Sequence, residues 1–396
     1  MTSSQAALCA GLPLLLLAAA CSDSKSTAQN TPPPAAPAAP ASAGTPMATT
    51  SIGDASAQAP VQVAVAPDVN PALIDMSPIA GATAVTAQPI LTADWRTVGA
   101  TPEARRNALI RAEVLLSRAH FSPGVIDGQD GGNLQNAIAA YETANQLPAD
   151  GKMNDKVWSA LAKDPRPALT DYAITADDVK GPFLPTIPKD MAEMAKLPAL
   201  SFTSPVQELA QRFHMDEGLL KALNPGADFS SAGTKIVVAA VGPEKLPMPV
   251  IRIEVDKTRR QVRAFGAADL LLAVYPATVG SAERPAPSGD WAVRAVATNP
   301  TYTFDPSRLT FGKASEGKLT VQPGPNNPVG STWIDLTKDT YGIHGTPDPR
   351  MVGKAASHGC VRLTNWDVRQ LSLAVKNGTK VDFVGDAAGK APKAAA

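Results

Sequence analysis

A long stretch rich in alanine and proline most constrains how this chain can fold. Between residues 31 and 50, 13 of 20 residues are Ala or Pro, and only three charged residues occur over residues 31–90. Such a segment cannot bury enough apolar surface to offset the entropy lost on ordering. Its prolines favour extended, semi-rigid conformations. We therefore expect a disordered linker over residues 22–93, which leaves the folded structure to the rest of the chain.

The first residues are predicted to be a targeting segment. Residues 6–20 are almost wholly apolar, and this length suits the core of a secretion signal better than a membrane-spanning helix. Leu17-Ala-Ala-Ala-Cys21 resembles the lipobox of bacterial lipoproteins. The resemblance implies a signal over residues 1–21, lipidation of Cys21 and anchoring in the cell envelope on its periplasmic side. The alternative is an ordinary cleaved signal on a secreted periplasmic protein, or a misassigned start codon.

Charge and cysteine content exclude two classes of protein. The chain has 396 residues, with 36 basic and 36 acidic side chains, whereas nucleic-acid binders usually present a basic face. Cys9 and Cys21 lie in the signal segment, so Cys360 is the only cysteine left within a folded part and no disulfide framework is expected. The length predicts two or three domains.

Residues 94–165 are predicted to form a small helical domain. Thr101, followed by Pro102 and Glu103, is typical of a helix start, and Asn154 is expected to cap a third helix. Three short helices with an Ile-Asp-Gly turn at residues 126–128 resemble the helical peptidoglycan-binding domain of cell-wall enzymes. A helical spacer without a ligand is the alternative.

Residues 199–242 show a different pattern. Two helical segments are followed by Asn224-Pro-Gly226 and by a strand at Lys235–Ala239. This order resembles a LysM module, a small βααβ fold that binds glycan. A scaffold role without sugar binding stays open as the alternative.

Residues 249–385 are predicted to be mostly β. Apolar and charged residues alternate from Ile251 to Val255, which is typical of a half-buried strand, and further strands follow between turns rich in Gly, Pro and Asp. A helix is expected over residues 366–376 and a mobile tail over residues 386–396. The fold class is therefore multidomain α+β.

The chemistry concentrates around Cys360. This residue lies in Ser357-His-Gly-Cys-Val-Arg-Leu363, and His344 lies upstream in Gly-Ile-His-Gly345. A nucleophilic cysteine acts as its thiolate, and a nearby imidazole can take the proton. An amide N–H at the Gly359-Cys360 turn could stabilise an oxyanion. Arg362 falls on the same face of a strand as Cys360, where its guanidinium could depress the thiol pKa or bind a carboxylate.

These residue types also suit other roles. A lone cysteine is often a buried structural residue, and His344, His358 and Cys360 could together hold a metal. His120 and His214 stand alone in helical segments and are expected to be structural or solvated. The tryptophans of the third segment are expected in the core: Trp291, Trp333 and Trp366.

The motif resembles the signature of the YkuD-type L,D-transpeptidase catalytic domain. The matching residues are His344-Gly345 and Ser357 to Arg362, supported by Asn299-Pro300 and by the segment from Gly324 to Gly330. The resemblance implies a β-sandwich-like catalytic domain. It also implies that Cys360 is the nucleophile, that His344 is the general base, and that the Gly345 carbonyl orients the imidazole.

The same resemblance implies the surroundings and the reaction. His358, Arg362 and Ser357 would contact substrate, and the amides of Gly359 and Cys360 would form the oxyanion site. In this family the cysteine attacks a peptidoglycan stem tetrapeptide, releases D-alanine, and passes the acyl group to an amine to give a 3→3 cross-link. No metal or cofactor is implied. Water or the amine of an envelope protein is an alternative acceptor, and a non-catalytic wall-binding protein is the alternative of another class.

Overall fold

A computed structural model describes residues 87–99, 101–280, 286–306, 317–354 and 360–385. The expectations for the signal, Cys21, most of the linker and the tail fall outside these ranges and stay predictions. Within the described ranges, no helix combines the length and apolar character needed to cross a bilayer.

The helices of the described residues are mostly short. They are α1 (Ala87–Thr92), α2 (Pro102–Arg118), α3 (Gly132–Ala144), α4 (Asp155–Leu161), α5 (Ala176–Lys180), α6 (Met191–Ala195), α7 (Pro205–Arg212), α8 (Glu217–Leu223) and α9 (Asn365–Ser372).

The strands of the described residues belong to one large sheet and two small ones. They are β1 (Leu169–Ala173), β2 (Lys235–Ala239), β3 (Arg252–Asp256), β4 (Gln261–Phe265), β5 (Leu271–Pro276), β6 (Thr278–Val279), β7 (Gly289–Thr298), β8 (Tyr302–Phe304), β9 (Leu319–Val321), β10 (Thr332–Leu336), β11 (Gly342–His344), β12 (Val361–Arg362) and β13 (Lys380–Val384).

Helix α1 lies where the sequence predicted the end of the linker. We expected the linker to run to residue 93, but Ala87–Thr92 is helical and Ile90 is fully buried. Ile90 packs with Ile110 and Val114 of α2. The average composition of the segment hid these few apolar residues, whose burial offsets the cost of ordering the helix.

The helical domain begins and turns as its sequence predicts. Thr101 caps α2 by accepting from the amide of Ala104 at 3.3 Å, and Asn154 caps α4. The carboxylate of Glu113 accepts from Gly128 N at 2.9 Å, and that of Glu142 accepts from Gly151 N at 2.8 Å. Both glycines have positive φ, so each Asp-Gly turn is held by a buried glutamate of the preceding helix.

The second module has its first strand earlier than expected. Strands β1 and β2 pair antiparallel, with Leu169 opposite Ala239, and α7 and α8 lie between them along the chain. Four helices, α5 to α8, lie between the two strands rather than two, and the strand pair starts at Leu169 rather than near residue 199. The likeness to a LysM module stays a prediction. The strand was missed because only Leu169 of its five residues is buried, so apolar alternation is absent.

The third segment forms the large sheet, in the order β5-β4-β3-β13-β7-β10-β11-β12-β6. The two edge strands, β5 and β6, are separated along the chain by Ala277 alone. The sheet must therefore curl back towards its own start, which gives the barrel-like or sandwich-like form expected of a mostly-β domain. Helix α9 packs Val368 and Leu371 against its core and ends at Ser372, before the predicted end at residue 376.

The helical domain is attached to the edge of this sheet. Ser122 N donates to Val274 O at 2.8 Å, and Val274 N donates to His120 O at 2.9 Å. Residues 120–122 thus extend the sheet beyond β5 and satisfy an edge that would otherwise present unpaired backbone groups. The helical domain and the large sheet therefore pack as a continuous structure rather than as separate modules on a flexible tether.

Candidate active site

A pair of short parallel strands brings the predicted catalytic residues together. In the β11–β12 pair, Ile343 lies opposite Val361 and His344 lies opposite Arg362. Side chains alternate across a strand, so Cys360, Arg362 and His344 share one face of the sheet. Ile343 and Val361 are fully buried on the other face, in the main core. Apolar residues on one face therefore fix the register that gathers the polar ones on the other.

Cys360 is buried beside the start of β12. Its side chain is 6% exposed and packs in a cluster with Tyr302 and Trp333. Burial raises the pKa of the thiol to about 11, although the Gly342 backbone and the Arg362 charge act to lower it. The sequence suggested that Arg362 would depress this pKa. Burial outweighs the guanidinium, so the resting group is the protonated thiol.

His344 is held as a neutral imidazole. Its Nδ1 lies 2.7 Å from the carbonyl oxygen of Gly345, and the residue is 1% exposed. Burial, helped by the Arg362 charge, lowers the pKa of the imidazole to about 3. A carbonyl can only accept, so Nδ1 carries the proton and Nε2 is left as an acceptor. Nε2 has no hydrogen-bond partner among the described residues.

Trp333 fixes the plane of this imidazole. The two rings stack at 5.3 Å between centroids with 20° between planes. Strand β10 places Trp333 opposite His344, and Gly342 makes room for the indole, because a Cβ there would overlap it. The expectation that Trp333 is a core residue holds, since it is 1% exposed, but its contact with His344 was not foreseen.

Tyr302 is a further residue that the motif did not reveal. It is fully buried, and its hydroxyl has no hydrogen-bond partner among the described residues. Burial raises its pKa, and a charge on Cys360 would raise it further, whereas Arg362 lowers it. The tyrosine follows Asn299-Pro300 in sequence, a segment that matched the family pattern, and this was the only sequence signal for it.

Three predicted site residues lie outside the described residues. Ser357, His358 and Gly359 fall within residues 355–359, so their roles stay predictions. The alternative of a metal site needs His358, so it also stays a prediction.

His120 and His214 lie far along the chain from this site, in a small cavity of about 20 Å³ where the three folded parts meet. His214 stacks on Trp366 with centroids 5.0 Å apart, and its Nδ1 lies 3.3 Å from Ser117 Oγ. Asp367 lines the same cavity, and burial raises its pKa to about 7. These contacts join separate parts of the chain, as a structural role for the two histidines requires.

Comparison with known proteins gives two family matches. Residues 251–383 match the L,D-transpeptidase catalytic domain, and residues 105–161 match a putative peptidoglycan binding domain. The predicted base and nucleophile, His344 and Cys360, both lie within the first match.

Individual relatives carry the same description. A putative L,D-transpeptidase YkuD of Bacillus licheniformis is 31% identical over 181 residues, which cover 45% of this chain and 92% of that protein. A probable L,D-transpeptidase ErfK/SrfK of Escherichia coli is 29% identical over 191 residues, 46% of this chain and 60% of that protein.

Among solved structures, an L,D-transpeptidase from Xylanimonas cellulosilytica aligns with 70% of this chain and 93% of its own, at 15% identity and a TM-score of 0.31. The sequence matches alone establish the assignment, because they span nearly all of the Bacillus protein. The chain belongs to the YkuD family of L,D-transpeptidases, with a helical peptidoglycan-binding domain ahead of its catalytic domain.

Proposed function

We propose that this protein cross-links peptidoglycan through a thioester on Cys360. The observation that carries the proposal is the free acceptor atom of the site. His344 Nε2 is buried and has no partner among the described residues, on the face of the sheet that carries Cys360. A base poised in this way can take the thiol proton at the moment of attack.

The first half-reaction begins from a neutral pair. His344 Nε2 takes the proton of the Cys360 thiol as the sulfur attacks the carbonyl carbon of the third stem residue, at its L-centre. A tetrahedral oxyanion forms and would be held by the backbone amides of Gly359 and Cys360. The bond to the terminal D-alanine then breaks, His344 returns its proton to the leaving amine, and a thioester remains.

The second half-reaction regenerates the thiol. The side-chain amine of a neighbouring stem attacks the thioester and loses a proton to His344. The carbon–sulfur bond breaks, Cys360 is reprotonated, and a 3→3 cross-link is left. Arg362 of β12 lies opposite His344 of β11 and would bind a stem carboxylate, with Ser357 and His358 as further substrate contacts.

The direct test uses purified full-length protein with disaccharide-tetrapeptides, read by mass spectrometry. We expect a dimer that lacks one D-alanine, and none with the Cys360→Ala variant. Tripeptide as the only product would replace the cross-linking proposal by carboxypeptidase activity, or by transfer to a protein amine. If wild type and Cys360→Ala give identical products, the nucleophile is wrongly assigned and a wall-binding role becomes the better account.

We also propose that Cys21 is lipidated and holds the enzyme at the envelope, with residues 22–86 as a spacer. Tethering by the helical domain, and by a glycan-binding module at residues 199–242, would raise the local concentration of the polymer substrate. Metabolic labelling with an alkyne fatty acid should mark the wild type and not Cys21→Ser. Isolated sacculi should retain the Cys360→Ala protein, and failure to sediment with them would contradict the tethering.

A further inference from the structure

Asn365, the first residue of α9, fills a gap directly behind the catalytic histidine. Its side-chain oxygen lies against Gly330 and Gly345, and a Cβ on either glycine would overlap it. The carbonyl oxygen of Gly345 accepts the hydrogen bond from His344 Nδ1–H. Asn365 therefore contacts the residue whose carbonyl orients the base.

The amide of Asn365 joins two further segments, the loop from Pro325 to Ser331 and helix α7. Its Oδ1 accepts from Ser331 N at 3.1 Å, and its Nδ2 donates to Pro325 O at 3.1 Å. Nδ2 also donates to Gln211 Oε1 at 2.9 Å, in a contact that is buried. Ser331 and Pro325 bound the loop that carries Val329, whose backbone acts to raise the pKa of the His344 imidazole. One side chain thus contacts both Gly345 and the loop from Pro325 to Ser331.

Gln211 brings the second module into this arrangement, because it lies on α7. One turn earlier on the same helix, Gln207 exchanges two hydrogen bonds with Asn326, at 3.1 and 3.0 Å. Leu200 exchanges backbone hydrogen bonds with the same loop, at Pro323 and Asn326. The module is therefore built into the wall of the catalytic site.

We propose that Asn365 is a positioning residue for His344, and that Gln211 extends this support to the second module. Together they hold the Gly345 carbonyl so that the Nδ1 proton stays fixed and Nε2 stays available as an acceptor. The inference rests on the proposed function, since the work it assigns to Asn365 is to keep His344 competent as the base. Small displacements of a catalytic group can cost up to about a hundredfold in rate.

The test compares variants of the full-length protein in cross-linking assays. We expect Asn365→Ala to lower kcat about 10- to 100-fold with KM nearly unchanged. Gln211→Met, which keeps the volume and removes the acceptor, should lower kcat by a smaller factor. Gln211→Glu keeps an acceptor for Asn365 Nδ2 and should restore most of the loss. The matched control is Gln370→Met, which breaks a 3.0 Å bond from α9 to Tyr275 and should leave kcat unchanged.

A second readout does not depend on turnover. Nitrogen NMR of ¹⁵N-histidine protein reports which ring nitrogen carries the proton, and a His344→Gln variant identifies the His344 signals. Wild type should show the Nδ1-protonated form alone, and Asn365→Ala a mixture of tautomers. A pure Nδ1 form and an unchanged kcat in both Asn365→Ala and Gln211→Met would overturn the inference.

The two readouts separate this inference from the proposed function. If wild type forms no product that depends on Cys360, the proposed function fails, and the tautomer measurement still decides whether Asn365 positions the ring. If Asn365→Ala does not fold, Gln211→Met and its Gln211→Glu counterpart carry the same comparison.

Discussion

Two histidine–tryptophan stacks in this molecule have nearly the same geometry, and we propose that they have different roles. His344 stacks on Trp333 at 5.3 Å and 20°, and His214 stacks on Trp366 at 5.0 Å and 10°. Removal from water lowers the pKa of both imidazoles to about 3. Neither a stacked ring nor a shifted pKa therefore distinguishes a candidate base from a structural histidine.

The difference lies in the partners of the ring nitrogens. His344 donates from Nδ1 to a carbonyl and leaves Nε2 free among the described residues, on the same sheet face as a thiol. His214 meets a serine hydroxyl in a cavity with room for about one water. Catalytic competence needs an unsatisfied acceptor beside a nucleophile, and this is a property of the local geometry.

The largest effect is expected from replacing the two stacked histidines one at a time. His344→Gln removes the base and should slow cross-linking about 10²- to 10⁴-fold, because proton transfer in the transition state is lost. His214→Gln removes the other stacked ring and should change the rate by less than about threefold. Steady-state assays with both purified variants make the comparison. Equal losses in the two would mean that stacking, not proton transfer, supports activity.

The cavity lined by His214 and Asp367 should affect the stability of the protein rather than its reaction rate. Burial raises the pKa of Asp367 from 3.8 to about 7, so the folded state holds its proton more tightly than the unfolded state. The stability that the protonated Asp367 carboxyl contributes is fully present below about pH 4. It is lost as the pH rises towards 7, and the free energy of unfolding falls by up to about 4 kcal/mol. The neighbouring His120 and His214 have lowered pKa values and contribute with the opposite sign.

The Asp367→Asn variant isolates the carboxyl group from those histidines. The difference in unfolding free energy between this variant and wild type should grow in favour of the variant between about pH 4 and 7. Denaturant unfolding at several pH values measures it. A difference that is constant with pH would show that Asp367 ionises normally in the folded protein.

The neutral state of the catalytic pair predicts how Cys360 reacts with a simple alkylating agent. A thiol with a pKa of about 11 should react with iodoacetamide about tenfold faster per pH unit from about pH 7 to 9. A stable thiolate–imidazolium pair would instead give a rate that is already level in this range. Mass spectrometry of Cys360 against time gives the rates, with Cys360→Ala as the blank.

The smallest effect concerns the support of His344 by Trp333. Gly342→Ala places a methyl group into the indole and should cost about 1–3 kcal/mol of stability, with a modest loss of rate. Gly132→Ala is the matched control, because a Cβ there meets nothing within 4 Å. Thermal or chemical unfolding of both variants tests the difference, and equal stabilities would show that the indole moves aside without cost.

Much of this protein can be predicted from its sequence alone, because the determining signals are local. Thr101 and Asn154 mark helix starts by capping chemistry, and alternation near Ile253 marks a strand. The motif likewise predicts that His344 and Cys360 act as base and nucleophile. Sequence averages mislead where a few buried residues decide the outcome, as at Ile90 in the expected linker and Leu169 in β1.

The tertiary structure decides what local signals cannot carry. Whether Cys360 rests as a thiol depends on how deeply it is buried, and burial outweighs the nearby Arg362. The contact of Trp333 with His344 depends on the pairing of β10 with β11, and that of Gln211 with Asn365 joins residues far apart in sequence. The sequence therefore determines which groups can react. Packing between distant segments determines their protonation states and their orientation, because desolvation and hydrogen-bond geometry exist only in the folded chain.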